Sequence, residues 1–179
     1  MLDKPYQNKR RFFDQGNTKS YDFRLKQLKK LTLAIQKNET NIIDEAKSSI
    51  SIAIANPGGL SAKRLAQEHL TAKEIGESAN ANELLAILEA RKAANEIGDG
   101  SFDSNVFSDL PALEALGRAG SLGTFATGDT LTFVLENQTE DGYWGSAWGA
   151  DFVSTAQGIR TLHYFKNYVS GEQLTIINL

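Results

Sequence analysis

The sequence predicts a mainly α fold, built of helical hairpins behind an N-terminal amphipathic helical arm. Three observations predict it. From Ser20 onward, Leu28, Leu31, Ile35, Ile42 and Ala46 recur at three- and four-residue spacing, with Lys26, Lys29, Lys30 and Lys37 on the other faces. An apolar segment then runs through Phe133 into Gln138-Thr139-Glu140-Asp141-Gly142-Tyr143-Trp144, and after a glycine-bearing turn a second apolar-periodic segment follows from Ser154 to Phe165. A weaker copy lies upstream, Asp99-Gly100-Ser101-Phe102 followed by Phe107 to Gly117. The two corners are 42 residues apart and the helices after them 46, the mark of a repeat whose units bury their apolar faces on one another.

Taken in order, residues 1 to 19 are polar and basic with Phe12 and Phe13 as an apolar pair, which reads as a short helix or a docked arm. Ser20 is an N-cap for one long helix over 20–47. Ile50, Ile52 and Ile54 followed by Asn56-Pro57-Gly58-Gly59 read either as a short strand and turn or as a helix end stopped by Pro57. The expected organisation is a helical arm 1–47, a linker 48–59 and an α-hairpin domain 60–179. Ser61 opens a helix to about Glu77 with Leu65, His69, Ala72 and Ile75 on one face. Asn80 or Asn82 caps the next, to about Ile97, with Leu84, Leu85, Leu88 and Ile97 on its apolar side.

Ser108 caps a short helix over 108–117, closed by Gly117 and Gly120, with Pro111 early enough to be tolerated. The segment Thr130–Glu136 alternates and is rich in β-formers, so short strands at 50–54, 130–136 and 174–179 compete with helix. Asp129 as a cap and the corner that follows favour helix at 130–136.

The logic of the corner is local. Gln138 and Asp141 have side chains that bond free backbone groups at a helix end, Gly142 permits the positive φ of a sharp reversal, and Trp144 covers the turn. Asp99, Asp103, Asp109, Asp141 and Asp151 read as helix caps and turn residues ahead of general acids. His69, on an apolar face, reads as a satisfied core or boundary histidine.

Composition narrows the chemistry. The chain has no cysteine, which excludes disulfides, thiolate metal sites and a cysteine nucleophile. His69 and His163 stand far apart, and neither a metal nor a cofactor is expected. No apolar run approaches the roughly 18 residues of a membrane span, and Met1–Arg11 has no apolar stretch, so the expectation is a cytoplasmic protein. Residues 1 to 46 carry ten Lys/Arg against six Asp/Glu, and the remainder nine against sixteen. The basic helix has no interleaved aromatics and the rest is acidic, so no nucleic-acid partner is expected.

At Gln138–Trp144 and its upstream copy the chain resembles the terpenoid cyclases and protein prenyltransferases, whose α/α toroids repeat a Gln…Asp-Gly-x-Trp corner between an outer and an inner helix. The resemblance implies an α/α-toroid type of packing and an apolar, isoprenoid-like ligand, with Tyr143, Trp144, Trp148 and Tyr164 as the aromatics to line its pocket. The Asp-x-Asp-Asp and Asp-Asp-x-x-Asp spacings of the cyclases do not occur. A closed toroid needs about twice as many hairpins, so a fragment, self-association or a different packing is expected.

Lys9-Arg10-Arg11-Phe12-Phe13 through Ala46 is similar to the N-terminal helical segment of aldehyde dehydrogenases, a segment that holds no catalytic residue in that family. No cysteine nucleophile follows. The function expected is a non-catalytic helical scaffold or binding module for an apolar ligand. The alternative is an incomplete or degenerate enzyme, either a cyclase fragment or a dehydrogenase relative using NAD(P). A chimera of two family-like pieces would also carry these two resemblances.

Overall fold

A computed structural model describes residues 11, 13–16, 20–146 and 149–169, and among them the fold is mainly α. The chain divides into two compact units, Met1–Glu45 and Ala46–Leu179. In the first, helix α1 spans Tyr21–Lys37, and the Ser20 hydroxyl caps it by accepting the Phe23 N–H at 3.2 Å. Leu28, Leu31 and Ile35 on α1 are exposed. The single helix expected over 20–47 is interrupted at Asn38. Its N–H still reaches the Ala34 and Ile35 carbonyls, its side-chain amide donates to Ala34 O at 2.7 Å, and α2 then runs over Glu39–Ala55.

The stretch expected as a linker is therefore helical to Ala55. Ile50 and Ala53 are buried while Ile52 is 61% exposed, so the working period there is three, and the alternation of isoleucines misleads. Pro57 ends the helix and begins a 3-10 turn, Pro57–Gly59. No helix among the described residues is long and apolar enough to cross a membrane.

In the second unit, α3 (Ala62–Glu74) starts at Ser61, whose hydroxyl accepts the Arg64 N–H, and buries Leu65, Ala66, His69 and Ala72. Helix α4 (Ser78–Ala93) begins before the asparagines expected to cap it. It ends well short of Ile97, which is 69% exposed. Helix α5 (Val106–Arg118) is capped by Asn105 rather than Ser108, so Pro111 lies in its second turn and withholds the helical donor from the Phe107 carbonyl.

Helix α6 (Gly128–Glu136) decides the ambiguous segment. Thr127, not Asp129, caps it, and Thr130, Leu131 and Val134 point inward together with Phe133. A two-stranded antiparallel pair, β1 (Gly145–Ser146) and β2 (Gly149–Ala150), occupies the second corner, where no strand was expected. Helix α7 (Phe152–Phe165) is capped by Asp151, whose carboxylate accepts the Val153 N–H and the Ser154 hydroxyl. The strand expected at 174–179 lies outside the described residues.

Helix α3 packs on α4 through a tight turn, and α3, α5 and α7 form a row whose neighbours are two helices apart in the chain. That is the spacing of a repeat. The α5–α7 seam shows how closely it fits. The Thr161 hydroxyl donates to Leu110 O at 3.0 Å, Gly117 leaves no room for a Cβ beneath the Tyr164 ring, and Arg160 makes a two-pronged pair with Glu114. The core is one continuous cluster from Ile50 to Val169.

Candidate functional site

The two corners expected from the sequence are built alike. At the second, Gly142 has φ +83° and Gln138 donates to its carbonyl at 2.7 Å. The Trp144 N–H donates to the Thr155 hydroxyl at 3.1 Å, and that hydroxyl donates back to Trp144 O. The indole N–H donates to Val134 O at 3.0 Å, so the fully buried ring has its one polar atom satisfied. At the first corner Gly100 has φ +82°, and Phe102 is buried with its ring 5.2 Å from that of Phe125. Here Asp109 takes the place of Thr155, accepting the N–H groups of Phe102, Asp103 and Asn105.

The carboxylates of the first corner are held by backbone and neighbours. Burial raises Asp99, yet hydrogen bonds from Ser101 and Asn95 outweigh it and leave its pKa below the ordinary value. Burial acts the same way on Asp103, and the Ala62 N–H, the Ser108 hydroxyl and Arg91 together pull it below the ordinary value. Arg91 goes on to the Leu60 carbonyl at 2.6 Å, tying the turn before α3 to this corner. Asp109 goes the other way. Its complete burial, with the charge of Asp103 adding, lifts it to about 6 against the three N–H donors.

His69, on α3, has both ring nitrogens engaged, Nδ1 with Ala81 O at 2.8 Å and Nε2 with the Ser121 hydroxyl at 2.9 Å. Because a carbonyl only accepts, Nδ1 carries the proton and Nε2 accepts from Ser121. Burial, assisted by Lys73, depresses its pKa, opposed by the Ala81 carbonyl.

Beside the first corner lies an open cavity of about 320 Å³. Its walls come from the end of α4 (Glu89, Lys92, Ala93), the corner (Asn95, Gly98, Gly100), the loop before α6 (Thr124, Phe125) and the first turn of α6 (Asp129). Lys92 spans the gap between α4 and α6. Its ammonium donates to the Thr130 hydroxyl at 2.6 Å, the Thr127 hydroxyl at 3.1 Å and the Phe125 carbonyl at 3.3 Å. Burial lowers its pKa, with the nearby Asp129 opposing. Gly100 is required here. A Cβ on it would strike the backbone of Asp129 and Thr130, and its carbonyl accepts the Thr130 hydroxyl at 2.7 Å.

Of the residues expected to hold a ligand, the three that are described fall elsewhere. Trp144 is in the core with its ring over Gly158, Tyr143 is half-buried against Gly145, and Tyr164 lies on Gly117 with an edge contact to His163. Trp148 lies outside the described residues. Asp141 is exposed, and Asp151, expected as a cap or turn residue like it, caps α7. The cavity's own residues were missed. A lysine in the last turn of α4 and the Thr127-Gly128-Asp129-Thr130 cap were the signals available, and each reads by itself as ordinary helix-end chemistry. No family model, no curated protein and no solved structure matches this chain.

Proposed function

We propose that the chain is a non-catalytic helical scaffold and binding module of terpenoid-cyclase-like α/α type, holding a small, mainly apolar molecule in the cavity at the first corner. The observation that carries the reading is the division of labour among the side chains. Asp99, Asp103, Asp109, Asp151 and Thr155 all hold backbone N–H groups or neighbouring hydroxyls, work that defines a frame. The cavity opens beside that frame, against Phe125 and Ala93, with a volume at the lower end of the roughly 300–1,000 Å³ of ligand sites.

The test is a titration of the labelled chain with geraniol and with 2-phenylethanol, two uncharged probes, followed by amide chemical shifts. Ligands of this size bind with dissociation constants of about a millimolar. The expected result is movement of the Gly98 and Gly100 amides, abolished by Ala93→Trp, which fills the opening. Shifts elsewhere, or shifts indifferent to Ala93→Trp, refute the site. Turnover of an isoprenoid diphosphate with magnesium, or of an aldehyde with a nicotinamide cofactor, replaces the scaffold reading with the enzymatic one.

A further inference from the structure

The cavity's polar groups differ in what they have left to offer. Lys92 directs its three protons at Thr130, Thr127 and Phe125. The Asn95 amide donates to Asp99 Oδ1 at 3.1 Å and to the Ser101 hydroxyl at 2.8 Å, and its oxygen accepts the Ile97 N–H at 3.2 Å. The charged and amide donors of the wall are thus already directed at protein acceptors. Glu89 and Asp129 line the same cavity, and their carboxylates make no hydrogen bond or ion pair among the described residues, Asp129 acting on Lys92 only through its charge. An acceptor-rich wall with committed donors favours a ligand that brings its own N–H groups, and two carboxylates against one lysine favour a positive charge. A carboxylate or phosphate ligand would meet repulsion and find no free cationic partner.

We infer that the cavity takes a small organic ammonium, its apolar body lying on Phe125 and Ala93 and its N–H groups facing Glu89 and Asp129. This rests on the reading of the cavity as a binding site and adds the class of ligand. Both carboxylates are on exposed residues, so each contributes a modest preference that weakens with salt.

Three matched probes separate the outcomes: 2-phenylethylammonium, 2-phenylethanol and 3-phenylpropionate, titrated into the labelled full chain at neutral pH and low salt. The ammonium should bind about fivefold more tightly than the alcohol, and the carboxylate least of all. Glu89→Gln combined with Asp129→Asn should bring the ammonium to the level of the alcohol and leave the alcohol unchanged. An ammonium no tighter than the alcohol, or a preference that survives the double substitution, overturns the inference while cavity binding stands. If none of the three moves the Gly98 and Gly100 amides, the binding site itself falls and the inference with it.

Discussion

Gly158→Ala tests the second corner where the Trp144 ring meets α7. A Cβ on Gly158 would lie 2.5 Å from Trp144 Cε3, 2.6 Å from Cζ3 and 2.7 Å from Cδ2, so the ring must move. It has little freedom to do so, being fully buried, fixed to Val134 O by its N–H and held at its backbone by Thr155. Two effects oppose each other. Alanine in place of glycine within a helix gains up to about 1 kcal/mol. Forcing a methyl group into a packed core costs about 1–3 kcal/mol, and losing the indole hydrogen bond adds roughly 0.5–1.5.

The clash wins, for a net loss of about 2 kcal/mol, which in a chain of this size lowers the melting temperature by about 4–8 °C. The assay is thermal unfolding followed by circular dichroism, with Gly58→Ala as the control because a Cβ there meets nothing within 4 Å. A Gly158→Ala chain that melts at or above the unsubstituted temperature refutes the packing of Trp144 on α7, and the account of the corner with it.

Two further predictions concern pH and act in opposite directions. Asp109 has a folded pKa raised to about 6 from 3.8, so folding favours its protonated form, and its contribution to stability falls as pH rises from about 4 to about 6. Asp109→Asn, which presents an N–H where Asn105 needs an acceptor, should cost about 1–3 kcal/mol. Its deficit in melting temperature against the unsubstituted chain should shrink across that pH window, and a deficit that grows would contradict the burial argument. His69 has a folded pKa depressed below 6.5, so its contribution is present above that pH and is lost as pH falls through the folded value. His69→Gln should flatten the acid side of the melting profile, and a variant as acid-sensitive as the parent would rule His69 out. Since the two effects have opposite signs, differences between variants resolve them and a single profile does not.

The mainly α architecture was legible because helical period and end signals agreed at most positions. Where two signals competed, at 50–59 and at 130–136, the helical reading is the one the structure adopts. Ile50, Ile52 and Ile54 alternate, but the buried pair is Ile50 and Ala53, and an alanine carries little weight in a pattern of apolar bulk. At 130–136 the β-rich composition was outweighed by the Thr127 cap and by burial of Thr130 and Val134, four residues apart.

Both corners were legible through Asp-Gly-x-aromatic, yet the residue that secures each was not. An ionisable Asp109 and a neutral Thr155, 46 residues apart, catch the same backbone N–H by different chemistry. The cavity was illegible for a further reason. Lys92, Phe125 and Asp129 belong to three segments with no shared motif, and the packing of Gly100 on α6 and the bonds of Lys92 bring them together.

That packing also distinguishes the surroundings of the first corner from those of the second among the described residues. The cavity is bounded on one side by a corner and on another by the first turn of the helix that comes after the next inner helix. The corner at Asp99–Phe102 has α6 to close it, with the Thr130 hydroxyl on Gly100 O and Lys92 bridging from α4. The corner at Asp141–Trp144 is followed by α7, the last helix among the described residues, and so has no equivalent of α6 there. Among the described residues the frame recurs at both corners, and the proposed site depends on α6 as well. It follows that substitutions in the Thr127–Thr130 cap should alter binding at the first corner more than any change at Gln138 or Asp141.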